Sequence, residues 1–439
     1  MRLTRSLLGY FKRYVDHEIA TTKGKTVYKN VYGWKRVQFD YKPWVYGEDR
    51  PWTDAAKHMN LTKNAKATKL RSTLVEPIKD WLIFRGDRKN FSTKMADTVS
   101  EGILLGLGNP LLDITVVCPD NALLDKYGLL ANNAIIAAEV HHPLYEEMVK
   151  NYKPEYLPGG ATLNSVRVAQ WLLQKPNATT FFGGVGQDKY AEILKKKSID
   201  VGVNVRYQVH SDVQTGVCGA IITGEDRSLV TELGAAQHFC VDFLKKPENW
   251  KLVEAAQCYY AGGFILPVSK ESVLALAHHS TENKKTMVIN LHATFLCGMF
   301  ADPKINILPY IDILFGNSDE AAEFCSIMGF PNKDLKQMAL QVAALPKVNS
   351  ERERIVVFTQ GRDPTIVAQG GKVSEYPVET VDHDLIKDTN GCGDSFVGGF
   401  LSQWVLGRSV QDCVRCGFYA AKVVIQHYGC QYPAKPNFV

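Results

Sequence analysis

The sequence from Asp388 to Phe396 reads DTNGCGDSF, and an amphipathic helical pattern follows it. Gly391 and Gly393 let the backbone turn tightly, so that successive amide groups at the start of the helix point in one direction. Amides in that position bind anions such as phosphate. Asp394 would repel a phosphate, but its place is explained if it accepts the proton of an attacking hydroxyl. The stretch therefore predicts a phosphoryl-transfer site, whereas an isolated GxGD is more often a glycine turn in which Asp caps the helix.

Upstream of this stretch, short apolar runs alternate with helical patterns. Such alternation is typical of βαβ units and predicts an α/β fold with helices on both faces of a mostly parallel sheet. Ligands of such sheets lie beyond the carboxyl ends of the strands. The runs predicted as strands are Ile103–Leu105, Ile114–Val117, Thr180–Phe182, Cys258–Tyr260, Met287–Leu291, Ile311–Phe315 and Ile355–Thr359. The segments predicted as helices are Asn164–Leu173, Glu192–Lys197, Ser269–His279, Ser318–Met328 and Leu335–Ala344.

The first hundred residues differ in character from the rest. The chain of 439 residues has a formal net charge of +5, but residues 1–100 contain 21 Lys and Arg against 10 Asp and Glu, a net charge of +11. The remaining residues carry a net charge of −6. Four of the seven tryptophans lie in the first part, whereas all ten cysteines follow it. We therefore predict a basic, Trp-rich N-terminal extension at 1–100 and a second domain at 101–439.

The N-terminal extension contains no recognisable catalytic constellation. Its first residues, MRLTRSLLGYFKRY, are basic and amphipathic, which is compatible with an organellar transit peptide; an ordinary basic helix or a gene-model artefact are the alternatives. The pattern from Thr26 to Phe39 indicates short strands, and that from Asp54 to Leu61 indicates a helix. Its basic and aromatic residues suit contact with nucleic acid, although a solvated surface is the simpler explanation.

Composition excludes several classes of protein. With 45% hydrophobic and 22% charged residues, the chain is ordinary for a soluble globular protein, and no apolar run reaches membrane-spanning length. The scattered cysteines indicate reduced thiols in an intracellular protein. Cys413 and Cys416 form a lone CxxC within an apolar helical pattern, which favours two core residues over a metal or redox site. The chain lacks the motifs of P-loop kinases, protein kinases and HExxH zinc hydrolases.

The nonamer at 388–396 resembles the second signature of the ribokinase-like (pfkB-type) carbohydrate and nucleoside kinases. Other segments match that family in order from Glu101 to the C-terminus: GNPLLD at 108–113, GGATLNS at 159–165, FGGVGQD at 182–188, NSDE at 317–320 and TQGR at 359–362. The resemblance implies a three-layer α-β-α ribokinase-like fold with a small β-rich lid, formed roughly by residues 112–158 and 211–233. It also implies a structural role for the segment at 182–188.

The activity implied by the resemblance is transfer of the γ-phosphoryl group of ATP to the 5′-hydroxyl of adenosine. The products would be AMP and ADP, in purine salvage, with Mg²⁺ as the cofactor and ATP as co-substrate. By this resemblance Asp394 is the base, and Gly391, Cys392 and Gly393 belong to the catalytic loop. The amides of Cys392, Gly393 and Asp394 would form the anion hole. Arg227 corresponds to an arginine that reaches the transferred phosphate when the lid closes.

The resemblance further implies two groups of binding residues. Asp113 holds the ribose hydroxyls, Asn164 touches the ribose, and apolar side chains surround the purine. The implied substrate residues are Asn109, Leu111, Asp113, Ile136, Gly159, Gly160, Asn164, Leu229, Phe264, Phe295 and Asn390. The implied residues for ATP and Mg²⁺ are Asn317, Glu320, Thr359 and Gly361, with the metal held mainly through water and phosphate near Asn317 and Glu320. Without the family, these would be turn, helix-cap, surface and core residues.

Four positions depart from the family pattern. Ala134 stands where members that phosphorylate adenosine have a glutamine on the base, Ile265 replaces an aromatic residue, and Thr231 replaces an alanine. These changes are compatible with phosphoryl transfer but leave selectivity among nucleosides open. Cys392 replaces alanine and places a thiol at a helix N-terminus, where its pKa is expected to fall.

Two other functions remain open from the sequence. The chain could be a pfkB-type kinase of another nucleoside or of a sugar. It could also be a kinase-like subunit whose residues 1–100 bind RNA or a protein partner. We expect a monomer without a membrane partner, located in the cytoplasm; the nucleus, or mitochondria reached through the basic N-terminus, are the alternative locations.

Overall fold

The structure is a computed structural model that describes residues 99–438 except 132, 225 and 331–333, together with the backbone of three strands nearer the N-terminus. These are β1 (Ile19–Thr22), β2 (Lys25–Tyr28) and β3 (Val37–Phe39), which form an antiparallel sheet within a compact unit at residues 1–91. The short strands expected between Thr26 and Phe39 are therefore confirmed. The helix expected at 54–61 and the basic segment at 1–14 lie outside the described residues.

Residues 92–439 form the second unit, which contains a nine-stranded sheet in the order β17-β16-β15-β14-β13-β12-β4-β8-β9. Neighbouring strands from β15 to β9 run parallel, and β16 and β17 are antiparallel. The strands are β4 (Leu104–Leu107), β8 (Thr179–Gly186), β9 (Asn204–His210), β12 (Cys258–Gly262), β13 (Thr286–Asn290), β14 (Ile313–Asn317), β15 (Ile355–Gln360), β16 (Asp363–Gln369) and β17 (Lys372–Tyr376).

A smaller sheet of five strands has the order β6-β11-β10-β5-β7. Its strands are β5 (Leu111–Cys118), β6 (Ala134–Ile136), β7 (Glu155–Gly159), β10 (Val217–Thr223) and β11 (Asp226–Glu232). The helices are α1 (Ala122–Tyr127), α2 (His142–Asn151), α3 (Ala161–Leu173), α4 (Lys189–Asp200), α5 (Val241–Leu244), α6 (Pro247–Ala255), α7 (Leu266–Glu282), α8 (Cys297–Ala301), α9 (Ser318–Ile327), α10 (Leu335–Ala343), α11 (Cys392–Trp404) and α12 (Val410–Val424).

Both faces of the large sheet are buried, because successive residues of a strand point to opposite sides. Leu104 and Phe181 belong to a core formed with α3, α11 and α12, whereas Leu105 and Phe182 belong to a second core with α7, α9 and α10. Strands covered on both faces read as continuous apolar runs. The predicted α-β-α arrangement is thereby confirmed, and every strand or helix predicted between Ile103 and Ala344 overlaps an element of that type.

Cys413 and Cys416 lie on α12 with side chains that are fully buried in the core. Their interpretation as core residues is confirmed. No helix in the described part of the chain is long and apolar enough to cross a bilayer.

Candidate active site

Site residues predicted on the large sheet lie at the carboxyl ends of five neighbouring strands. Asn109 follows β4, Phe264 follows β12 and Phe295 follows β13. Asn317 is the last residue of β14, and Thr359 is the second-last residue of β15. Asn317 and Thr359 are register partners on adjacent strands. Since these strands are parallel, their loops meet along one edge of the sheet, where ligands of open α/β folds bind.

The glycine-rich motif forms the start of α11 at this edge. Gly391 is the N-cap residue in a left-handed conformation, with φ of 78°, and has no side chain that could cap the helix. The amides of the first turn have no acceptor within the helix. Those of Gly393 and Asp394 therefore present hydrogens at the positive end of the helix, which is the geometry of an anion site.

Asp394 lies in this first turn and is partly buried. Its Oδ2 accepts a hydrogen bond of 3.1 Å from Nδ2 of Asn164 on α3. Burial raises the pKa of Asp394 to about 7; the hydrogen bond from Asn164 opposes the shift, and the negative charges of Asp113 and Glu320 add to it. A carboxyl with a pKa near neutrality is suited to accepting and releasing a proton at physiological pH.

Asp113 on β5 is held against the di-glycine segment. A Cβ added to Gly159 would overlap Oδ1 of Asp113, and one added to Gly160 would overlap the carbonyl oxygen of Asn109. Gly160 also has φ of 91°. The two glycines thus permit a close approach that brings Asn109 and Asp113 beside the start of α3. Burial raises the pKa of Asp113 to about 6.

Several residues that were predicted to bind substrate share one face of the small sheet. Asp113, Cys218, Thr231 and Ile136 are successive register partners across β5, β10, β11 and β6. Partners in register point to the same face, so Ile136 and Asp113 lie in one cross-strand row. Ile136 is 64% exposed on this face. Leu229, two residues before Thr231 on β11, lies on the same face, and Leu111 is buried two residues before Asp113 on β5.

An aromatic pair lies after β12 and β13. The rings of Phe264 and Phe295 are 6.2 Å apart, and Phe295 is 74% exposed, which is unusual for so large an apolar side chain. Phe264 stacks on His292 at 5.2 Å, and its carbonyl accepts from Nδ2 of Asn109 at 3.0 Å. Burial lowers the pKa of His292 to about 3, so this ring is neutral. The pair is a ready apolar surface for a planar ligand.

Asn317 and Glu320 form a capping box at the start of α9. Glu320 donates its amide to Oδ1 of Asn317 at 2.8 Å, and its Oε2 accepts from the Asn317 amide at 2.9 Å. Glu320 is buried, and burial raises its pKa. Thr359 lies beside this cap in register, and Gly361, with φ of 62°, forms the turn that follows.

Asp388, the first residue of the motif, was not among the predicted site residues. It is buried, its Oδ2 accepts from Gly429 at 2.7 Å, and the same oxygen pairs with Nη1 of Arg227 from the small sheet. Its Oδ1 accepts from both the amide and the Nδ2 of Asn390, each at 2.9 Å. In this conformation, Arg227 and Asn390 are thus directed to Asp388. In the sequence, the available signal for this junction was an acidic residue at the first position of the signature motif.

The expected fall in the pKa of Cys392 is wrong. Burial raises the pKa of this thiol to about 12, and the nearby Cys430 and Asp394 add to the shift. Desolvation therefore outweighs the positive end of the helix. Asp188, the last residue of the segment at 182–188, caps α4 through Ala191 and also accepts from the amide and hydroxyl of Thr215. These are the contacts expected of a structural residue.

Comparison with known proteins agrees with this architecture. The model of the pfkB family of carbohydrate kinases matches residues 121–437. The chain is 48% identical over 338 residues to adenosine kinase 2 of Arabidopsis thaliana, a match that covers 77% of this chain and 98% of that protein. The chain therefore belongs to the pfkB family of carbohydrate kinases.

Solved structures of adenosine kinases show the same fold. The Anopheles gambiae enzyme, in complex with P1,P4-di(adenosine-5) tetraphosphate, has a TM-score of 0.71 at 42% identity, covering 77% of this chain and 100% of that one. The Schistosoma mansoni enzyme, in complex with 2-fluoroadenosine, has a TM-score of 0.70 at 33% identity, covering 76% and 98%. The ribokinase-like fold implied by the sequence is confirmed.

Proposed function

We propose that this protein is an ATP-dependent kinase that phosphorylates the 5′-hydroxyl of adenosine, forming AMP and ADP. One observation carries the proposal: Asp394, at an anion-binding helix start, shares a hydrogen bond with Asn164 and lies near Asp113. The relatives of high identity are named adenosine kinases, and two solved neighbours were obtained with adenosine-containing or adenosine-like ligands.

Binding would use both sheets. Asp113 accepts hydrogen bonds from the two vicinal ribose hydroxyls, because a carboxylate has acceptors for both. The purine lies against the exposed aromatic pair and the apolar residues of the small sheet. The small sheet acts as a lid whose closure excludes water and limits ATP hydrolysis.

Transfer would depend on alignment rather than on a strong base. The 5′-hydroxyl lies between Asp394 and the γ-phosphate, and Asp394 accepts its proton as the bond to phosphorus forms. The amides at the start of α11 stabilise the charge on the transferred group. Arg227 must exchange its contact with Asp388 for the phosphate, which couples lid movement to completion of the site.

Mg²⁺ would be held mainly through water and the phosphates of ATP. The described residues contain no group of three or more His, Cys, Asp or Glu side chains placed to hold a metal ion. Glu320 and Asn317 already satisfy one another, yet each carboxylate oxygen keeps a lone pair for a water ligand. When bound, the ion neutralises phosphate charge, and these two residues would orient its water shell.

We also propose a reducing compartment, the cytoplasm or the nucleus. All ten cysteines are free thiols, and eight of them are buried. Buried, uncharged thiols are inert to exchange and suit such a compartment.

The test is a substrate panel. AMP formation from adenosine is compared with phosphorylation of other nucleosides, ribose and fructose, each with Mg-ATP. We expect the highest kcat/KM for adenosine. Asp394→Asn should lower kcat by about 10²- to 10⁴-fold while nucleoside binding persists. Faster turnover of a sugar would refute the substrate, and near-normal turnover by Asp394→Asn would refute the base.

A further inference from the structure

We propose that Arg167 is a positioning residue for phosphoryl transfer, which fixes the side chain of Asn164 so that its amide group faces Asp394. The same guanidinium fixes Pro158, the residue before the di-glycine segment. The inference presupposes the proposed function, and neither the sequence motifs nor the relatives assign a role to Arg167.

The contacts form a chain from Arg167 to the base. Arg167 lies on α3 one turn after Asn164 and is only 5% exposed. Its Nη1 donates to the carbonyl oxygen of Pro158 at 2.8 Å and to Oδ1 of Asn164 at 3.4 Å. The opposite end of the Asn164 amide, Nδ2, donates to Oδ2 of Asp394 at 3.1 Å.

This chain determines which way the Asn164 amide points. An asparagine side chain has an acceptor end and a donor end, which differ only by rotation about one bond. A guanidinium has donors only, so it binds the oxygen and leaves the NH₂ group directed at Asp394. Without Arg167, rotation of the amide would place an oxygen against the carboxylate, which repels its charged form.

The burial of a cation here has a cost that packing alone does not explain. Within the described part of the chain Arg167 makes no ion pair, although its charge acts on Asp113 and lowers the pKa of that carboxyl. Its Nε is buried without a hydrogen-bond partner there. Its guanidinium lies over the ring of Tyr432 at 5.6 Å, and Tyr432 stacks on Trp171 at 4.8 Å. A neutral side chain would fill this space without the desolvation penalty. The charge of Arg167 acts on Asp113, but its contact with Asn164 is made by a donor, and this contact points to a positioning role.

Other charged and titratable groups act on Asp394 from several elements. Asp113 on β5 and Glu320 on α9 oppose its ionisation. The other titratable groups coupled to it are Tyr260, Cys392 and Cys430. Since burial raises the pKa of each of these three, they are neutral near pH 7 and leave the Asn164 amide as the contact that favours the charged carboxylate.

The test compares the full-length Arg167→Met and Arg167→Lys variants with wild type. We expect Arg167→Met to lower kcat about tenfold, as for loss of one oriented hydrogen bond, with KM for ATP unchanged. The acidic limb of the pH profile of kcat should move to higher pH in Arg167→Met. Arg167→Lys should keep most of the wild-type kcat and leave the acidic limb close to its wild-type position. Arg354→Met is the matched control. Arg354 is also buried, and its described hydrogen bonds all go to backbone carbonyls, among them those of Leu308 and Ile311. It should lower Tm and leave the acidic limb in place.

A double-mutant cycle separates positioning from packing. If Arg167 acts through Asn164, Arg167→Met should change kcat little in an Asn164→Ala background. An equal loss in both backgrounds, or an acidic limb that does not move, would overturn the inference. If Arg167→Met does not fold, Arg167→Gln undergoes the same cycle and is judged by the same two criteria.

Titration of Asp394, measured without turnover, distinguishes the proposed role of Arg167 from the proposed kinase activity. Carboxyl carbons of labelled aspartate are titrated by NMR, and the Asp394 signal is assigned by its loss in Asp394→Asn. An upward shift of this titration in Arg167→Met supports the inference, and an unchanged titration overturns it. Failure of wild type to phosphorylate adenosine would refute the proposed function alone.

Discussion

Activity should fall steeply below neutral pH, because the proposed base is protonated there. Burial raises the pKa of Asp394 to about 7. A base whose pKa is raised is lost as the pH falls through that value, so acid removes activity and mild alkali does not. The ratio kcat/KM reports groups of the free enzyme, which is the state that the structure describes.

A second carboxyl should make the fall steeper. Burial raises the pKa of Asp113 to about 6, against the opposing charges of Arg227 and Arg167. Between the two values only Asp394 takes up a proton, so kcat/KM should fall about tenfold per pH unit. Below both values the fall should be about a hundredfold per unit, reaching about a thousandth of the plateau near pH 5. Since the carboxyls interact, these midpoints belong to the pair.

The assay is AMP formation at low adenosine and saturating Mg-ATP, from about pH 5 to about pH 9. Samples returned to neutral pH and assayed again show whether acid has merely inactivated the protein. Asp113→Asn should remove the second titration, so that kcat/KM falls about tenfold per pH unit over the whole acidic limb. A wild-type profile that stays flat down to about pH 5 would refute the base assignment and both raised pKa values.

Three other substitutions probe the site. Gly159→Ala should raise KM for adenosine at least about tenfold, because the new Cβ would displace the Asp113 carboxylate; Gly298→Ala, with no atom within 4 Å, is the control, and equal KM values would contradict the close approach. Asp113→Ala should weaken adenosine binding about 10- to 100-fold by calorimetry, and unchanged affinity would remove it from the ribose site. Asp394→Asn should resist urea better than wild type at alkaline pH, by no more than about 4 kcal/mol, because the ionised buried carboxyl costs stability as pH rises from about 4 to about 7. A difference that is the same at pH 4 would contradict this last prediction.

The large sheet was predictable because burial on both faces leaves continuous apolar runs in the sequence. The strands of the small sheet were harder to place individually. Strand β7 contains Pro158, which disfavours a strand in general but is tolerated here because β7 is an edge strand. Strand β10 contains Gly219 because the side chains of Tyr145 and Met148 pack directly over it. Whether a strand tolerates proline or glycine depends on neighbouring strands and side chains that are distant in the sequence, so the local sequence pattern does not reveal it.

The same limit applies to the site. Glycine spacing around Asp394 predicted the turn and the helix start, since these depend on adjacent residues alone. The hydrogen bond from Asn164 joins residues 230 positions apart, and the burial that raises the pKa of Cys392 comes from distant elements. Charge and hydrogen-bond partners across such distances follow from the fold and cannot be obtained from spacing.

Thr231 replaces an alanine of the family pattern, and its contacts decide whether this replacement affects ligand binding. Its hydroxyl donates to Sγ of Cys218 at 3.3 Å. Cys218 is its neighbour in the cross-strand row that begins at Asp113. With the hydroxyl directed along the sheet, the group left to face a ligand is the methyl, which is apolar like the alanine it replaces. Ala134, by contrast, is exposed and lies in register with Leu229, so its short side chain leaves space that a glutamine would fill. Differences in nucleoside selectivity should therefore arise at Ala134 rather than at Thr231.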